Sequence, residues 1–197
     1  MNVTRLFIMA ATLTALLSIP AQAHFLFVRI LPPAEGGRAA EVYFSELAEA
    51  GDSRFIDKIA HTQLWLQSTP GKFDPLKVLK APDRLRAWLP YSGNVVVVGE
   101  CRYGVLARPN QTPFLLRHFP KAIAGTPDEL NKMQPHGKLP LELVATIDDD
   151  GMHFVVLRHG KPIPQAELVT VDAKLSNVKL TADKEGRARW SPPALGT

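Results

Sequence analysis

Short apolar runs, separated roughly every ten residues by Pro, Gly or charged residues, are the main pattern along this chain. In several runs every second residue is apolar, as at Val42 and Phe44 or at Leu64 and Leu66. A period of two is typical of strands that bury one face of a sheet. We therefore predict strands at residues 25–31, 40–44, 62–67, 85–89, 94–101 and 114–118.

One run departs from this alternation and predicts a central strand. Residues 95–98 are four consecutive valines, and a continuous β-branched run favours a strand that is covered on both faces. The chain also contains 17 prolines and 13 glycines, which keep its elements short. Together these features favour a β-sandwich over a helical bundle.

Two segments carry helical signals. In residues 126–133, Thr126 precedes a proline at the first helical position, and Glu129 follows at the third. This composition satisfies the free N–H groups at a helix start. In residues 53–60, apolar residues recur on one side of a helix. We predict a short helix in each segment.

The predicted strands follow one another more closely after residue 140, where a polar connector at residues 133–140 ends. Later strands are predicted at residues 141–147, 152–157, 166–171, 178–181 and 187–190. We therefore expect an all-β fold with one or two short helices. Its two β-sandwich, immunoglobulin-like domains would cover residues 24–140 and 141–197.

The N-terminus has the pattern of a secretory signal peptide at residues 1–23. Arg5 precedes an apolar run of about 14 residues, which ends in the small-residue triplet Ala21, Gln22, Ala23. The run is shorter than the roughly 20 residues of a membrane-spanning helix, although an uncleaved anchor is the alternative. The sequence predicts an exported protein, periplasmic or extracellular, with no membrane span after cleavage.

Composition narrows the classes of partner. The formal net charge of +4 is spread along the chain, so a nucleic-acid partner is not expected.

The single cysteine, Cys101, excludes an internal disulfide. The sequence contains no serine-hydrolase elbow, zinc-protease motif or phosphate-binding loop. We therefore predict that the protein is not an enzyme.

The end of the chain resembles the carboxypeptidase-regulatory-like, immunoglobulin-type β-sandwich. The resemblance rests on turn and strand landmarks: Gly160, Lys161, Pro162, the strand at 166–171, Thr181, Asp183, Gly186, Pro192, Pro193 and Gly196. In that fold the Pro-Pro-x-x-Gly stretch leads into a further strand. The resemblance therefore implies that the second sandwich is incomplete, or truncated, in this chain.

The mature chain also resembles an exported family described as periplasmic components of nickel or cobalt uptake. The shared features are His24 to Phe27, Tyr43 to Glu46, Leu64 to Leu66, Tyr103 to Val105 and the C-terminal sandwich. This resemblance implies that the protein handles a transition metal ion. It also implies a membrane metal-transport system as a partner.

Cleavage after Ala23 would make His24 the first residue. Its α-amine and its imidazole can then chelate one metal ion, a donor pair that suits Cu²⁺, Ni²⁺ or Co²⁺. In this chemistry the chain resembles exported copper proteins of unrelated families, which use an N-terminal histidine in the same way. The candidates for the remaining ligands are His61 and His118, at predicted strand ends, and the carboxylate of Glu46.

Two hypotheses remain open for the function. In the first, the exported protein binds nickel, cobalt or copper through His24, His61, His118 and Glu46 and supports metal uptake or homeostasis. In the second, it is a structural or ligand-binding immunoglobulin-like module that recognises protein or carbohydrate without a metal. No two histidines have a short metal-binding spacing, so the partners of His24 depend on the fold.

Overall fold

The computed structural model describes residues 24–35, 37–90, 93–133, 137–171 and 177–191. Three features of the sequence lie outside these residues. They are the predicted signal peptide at residues 1–23, part of the connector with His136, and the Pro-Pro-x-x-Gly stretch at residues 192–196.

The fold is all-β, as predicted. The strands are β1 (Phe25–Ile30), β2 (Arg38–Ser45), β3 (Gln63–Thr69), β4 (Lys72–Leu76), β5 (Val78–Lys80), β6 (Leu85–Leu89), β7 (Val95–Leu106), β8 (Phe114–His118), β9 (Lys121–Ala124), β10 (Leu141–Asp148), β11 (Gly151–Arg158), β12 (Lys161–Pro162), β13 (Glu167–Val171), β14 (Asn177–Thr181) and β15 (Arg187–Trp190).

Two antiparallel sheets enclose the main core. One has the strand order β1-β2-β6-β5, and the other has the order β4-β3-β7-β8 with β9 also paired to β7. Alternate residues of both sheets point into a shared apolar cluster, which includes Leu26, Val42, Leu64 and Leu85. Burial of these side chains is the main force that holds the sheets together.

The valine run is covered on both faces, which confirms the prediction for it. All four valines are completely buried. Val95 and Val97 belong to the core between the sheets. Val96 and Val98 belong to a second cluster with Leu130, in the helix Pro127–Lys132.

The first half contains strands that the sequence pattern missed. β4, β5 and β9 were not predicted, because β4 contains Pro75, β5 has three residues and β9 has four. β7 also continues beyond the predicted end at residue 101. It does so past an irregular pairing between Arg102 and Gly104, where Gly104 has φ of +142°. Such a bulge bends a strand without ending it.

Both predicted helices are present. The first forms as a 3₁₀ turn, Ser53–Phe55, followed by the single α-turn Ile56–Ile59. The second begins after Thr126, but the prediction that this side chain caps the helix is wrong, because it makes no capping hydrogen bond. Instead the backbone N–H of Thr126 donates to Asn94 Oδ1 at 2.9 Å. Among the described residues, no helix is long and apolar enough to cross a membrane.

The segment after residue 140 forms its own ladders but also contacts the first half. β10, β11, β12 and β15 form one sheet, and β13 pairs with β14. Lys121 Nζ lies 3.3 Å from Glu142 Oε1, and both side chains are largely buried. The side-chain amide of Asn131 donates to Ile147 O and accepts from Ile147 N. A domain boundary at residue 140 remains a prediction.

Replacing Gly125 with alanine should destabilise the fold by about 2 kcal/mol. Gly125 has φ of +152°, and an added Cβ would lie 2.8 Å from the Cβ of Asn94. The matched control is Gly137→Ala, because Gly137 also has a positive φ but open space around it. Urea unfolding of both variants separates crowding from backbone strain. Equal losses would show that contact with Asn94 does not matter.

Candidate functional site

His24 lies directly before β1, against the aromatic end of the core. Its ring centroid is 5.5 Å from that of Phe44 and 5.1 Å from that of Phe55. Phe44 is placed by the β1–β2 register, in which it pairs with Leu26, and it is 6% exposed. The β1–β2 ladder therefore holds the first predicted metal ligand beside a buried ring.

His118 reaches the same ring from the other sheet. It is the last residue of β8, and its ring centroid is 5.6 Å from Phe44 and 5.9 Å from Tyr103. Tyr103 stacks on Phe44 at 5.0 Å. The fold thus places His24 and His118 on one aromatic cluster, although they are far apart in the sequence.

Both histidines line one open pocket of about 560 Å³, which we call the His24 pocket. Aromatic and aliphatic side chains form most of its wall, and two arginines complete it. The described lining residues are His24, Phe25, Phe44, Phe55, Tyr103, Leu106, Arg108, Phe114, Leu116, Arg117 and His118.

The environment of His118 suits a metal ligand. Its Nε2 is buried and has no hydrogen-bond partner among the described residues. Burial lowers the pKa of the imidazole, so the ring is neutral at physiological pH and keeps a free lone pair. A buried nitrogen without a partner is costly unless a ligand satisfies it. This nitrogen is therefore a candidate donor to a metal ion that takes nitrogen ligands.

His61 lies at a different place. Its Nε2 donates to the backbone carbonyl of Arg102 at 2.8 Å and lies 3.7 Å from Cys101 Sγ. Burial raises the pKa of the Cys101 thiol, which keeps it protonated and a poor metal ligand. His61 does not line the His24 pocket. Its observed contacts are those of a structural histidine.

Glu46 is exposed and directly follows β2, outside the lining of the His24 pocket. Among the described side chains, no group of three or more His, Cys, Asp or Glu residues is close enough to hold a metal ion. The structure therefore brings together two of the four predicted ligands, His24 and His118.

The carboxylate of Asp52 interacts electrostatically with His24, but it already accepts hydrogen bonds from Arg54. The side chain and the backbone N–H of Arg54 donate to it and, with a smaller contribution from the charge of His24, hold its pKa at about 2. The distance from Arg54 Nε to Asp52 Oδ2 is 2.8 Å. This ionised carboxylate adds negative charge near the imidazole without being free to bind a metal.

Sequence reasoning missed the aromatic and basic wall of the pocket. Tyr103 was noted only in a family resemblance, and Arg108 and Arg117 were not singled out. The available signal was Gly104, because a glycine inside an apolar strand often marks a bulge. The bulge carries β7 onward to the part of the hairpin that forms this wall.

Comparisons with known proteins provide no relative for this chain. No family model matches it, and no curated protein and no solved structure shows significant similarity to it.

Proposed function

We propose that this protein is exported and, after cleavage behind Ala23, binds a transition metal ion without catalysing a reaction. The ligands would be the α-amine and imidazole of His24 and the imidazole of His118. The observation that carries the proposal is that both histidines line one pocket against Phe44. The buried, unpartnered Nε2 of His118 supports it.

Three nitrogen donors favour Cu²⁺ among the candidate ions. Affinity for such a set rises from Co²⁺ through Ni²⁺ to Cu²⁺. Each imidazole would offer the ion one nitrogen lone pair. The role we propose is metal uptake or homeostasis, with a membrane metal-transport system as the partner. The proposed architecture is two immunoglobulin-like sandwiches, of which the first presents the metal site.

Phe44 and its aromatic neighbours would hold the two imidazoles in place. His24 packs on Phe44 and Phe55, and His118 packs on Phe44 and Tyr103. An apolar shell around a metal site limits water access and fixes ligand orientation. These residues therefore act by positioning the ligands.

The test is a Cu²⁺ titration of protein that begins at His24, followed by calorimetry and electron paramagnetic resonance. We expect 1:1 binding with nitrogen hyperfine structure. Acetylating the α-amine of His24 converts it into an amide and should weaken binding at least 100-fold, about 2.7 kcal/mol. Ni²⁺ and Co²⁺ should bind more weakly than Cu²⁺ in the same series.

Two histidine variants distinguish this ligand set from unspecific binding. His118→Ala should reduce Cu²⁺ affinity at least 10-fold, whereas His61→Ala should leave it unchanged. Equal affinity with the α-amine of His24 free and acetylated would overturn the chelate. It would favour the second hypothesis, a structural or ligand-binding module without a metal.

A further inference from the structure

The His24 pocket has a second wall that the proposed metal ligands do not use. Beyond the bulge at Arg102 and Gly104, β7 pairs with β8 through Val105 and Leu115 and then through Leu106 and Phe114. A bulge of this kind changes the direction of the side chains that follow it. The far end of this hairpin therefore forms a wall of the pocket.

The charged side chains that line the pocket are all basic. Arg108 and Arg117 lie in the same lining as the two histidines, and none of its described lining residues is Asp or Glu. Arg117 is partly neutralised, because its Nη2 donates to Glu100 Oε1 at 2.7 Å. Arg108 lies over the ring of Phe114 at 5.9 Å and has no carboxylate partner among the described residues.

We propose that the His24 pocket binds a small aromatic carboxylate. Its ring would pack against the aromatic wall, and its carboxylate would accept hydrogen bonds from Arg108. The pocket volume of about 560 Å³ lies within the roughly 300–1,000 Å³ typical of small-molecule sites. This inference goes beyond metal binding and does not depend on it.

The two parts of the ligand follow from two features of the wall. A guanidinium group presents a planar fork of donors that matches a carboxylate, and this match favours a carboxylate over a neutral polar group. Tyr103 and Phe114 provide ring faces and edges, against which an aromatic ring packs better than a flexible polar chain.

The test uses benzoate as the probe and metal-free protein that begins at His24. Titration followed by ¹H–¹⁵N NMR should show saturable shifts in β7 and β8, with a Kd on the order of 1 mM or tighter. Benzamide has the same shape without the charge and should bind at least 10-fold more weakly. Arg108→Gln should weaken benzoate binding at least 10-fold.

The matched control is Arg158→Gln, because Arg158 is an exposed arginine at the end of β11, outside the pocket lining. It should bind benzoate as the unchanged protein does. Equal binding of benzoate and benzamide, or equal affinity of the two arginine variants, would overturn the proposal. So would the absence of saturation at about 10 mM. Citrate binding as tightly as benzoate would also overturn it, because the aromatic ring would then be irrelevant.

The two proposals fail separately in these measurements. Cu²⁺ binding that survives in Arg108→Gln, together with no benzoate binding to the unchanged protein, overturns the carboxylate site alone. Benzoate binding that depends on Arg108, together with no effect of acetylating the His24 α-amine on Cu²⁺ affinity, overturns the metal site alone.

Discussion

Replacing Phe44 with alanine should lower the free energy of unfolding by about 4 kcal/mol and also weaken Cu²⁺ binding. Phe44 is 6% exposed, and its ring contacts the rings of His24, Phe55, Tyr103 and His118. Its loss removes buried apolar area and leaves a cavity that these rings cannot fill without moving. Urea unfolding measures the first effect, and calorimetry well below the transition measures the second.

The controls separate packing from ligand positioning. Phe25→Ala removes a ring that is 53% exposed and should cost less than about 1 kcal/mol. Phe44→Leu keeps much of the volume and should lose about half as much stability as Phe44→Ala. If Phe44→Ala binds Cu²⁺ as tightly as the unchanged protein, Phe44 does not position the two histidines.

Replacing Glu41 with alanine should destabilise the protein by about 3 kcal/mol. Glu41 is 1% exposed, on the face of β2 opposite the main core. Its carboxylate accepts from Arg84 Nη1 at 3.0 Å, from Arg86 Nε at 2.9 Å and from the hydroxyl of Tyr43. Removal leaves the buried Tyr43 hydroxyl without its acceptor and two guanidinium groups without their shared partner.

The matched control is Glu46→Ala, which removes an exposed carboxylate a few residues further along the chain. Its cost should stay within about 0.5 kcal/mol. Thermal unfolding by circular dichroism and urea unfolding measure both variants. Similar losses in the two variants would mean that Arg84 and Arg86 do not need the carboxylate of Glu41 as a partner. Glu41 would then contribute little to stability.

The same carboxylate gives stability a defined pH dependence. Burial by itself raises the pKa of Glu41, but hydrogen bonds from Tyr43, Arg86 and Arg84 outweigh it, so the pKa lies below 4.5. A carboxylate with a lowered pKa stabilises the fold above its unfolded pKa and loses this contribution as pH falls through its folded value. The stability difference from Glu41→Gln should therefore narrow below pH 4.5.

Much of the β-structure was predictable because its signals are local. Val42 and Phe44 alternate with polar or small residues on β2, and the valines of β7 form a continuous run. Such patterns predict a strand whatever its neighbours are. Only the neighbours decide whether its second face is also buried, as it is on β2. The strands that were missed, such as β4 with Pro75, depend on pairing with a neighbour more than on their own composition.

The candidate site was predictable only in part. The chemistry of His24 follows from one residue and one cleavage position, so the sequence alone was enough to predict it. The sequence could not decide whether His61 or His118 is the partner of His24, because each lies at the end of a predicted strand. In the structure, the burial of His118 against Phe44 favours it, while His61 donates to a backbone carbonyl.

The sequence by itself determined the all-β class and the buried valine strand, and it predicts the pair of donors at His24. These properties depend on side-chain periodicity and residue chemistry, which act over a few positions. Only the tertiary structure decided that His118 lies in the same pocket as His24 and that Arg108 completes its wall. These positions depend on strand pairing across long sequence separations and on a bulge in β7. No local pattern encodes them, because the partner residues meet only when the two sheets pack.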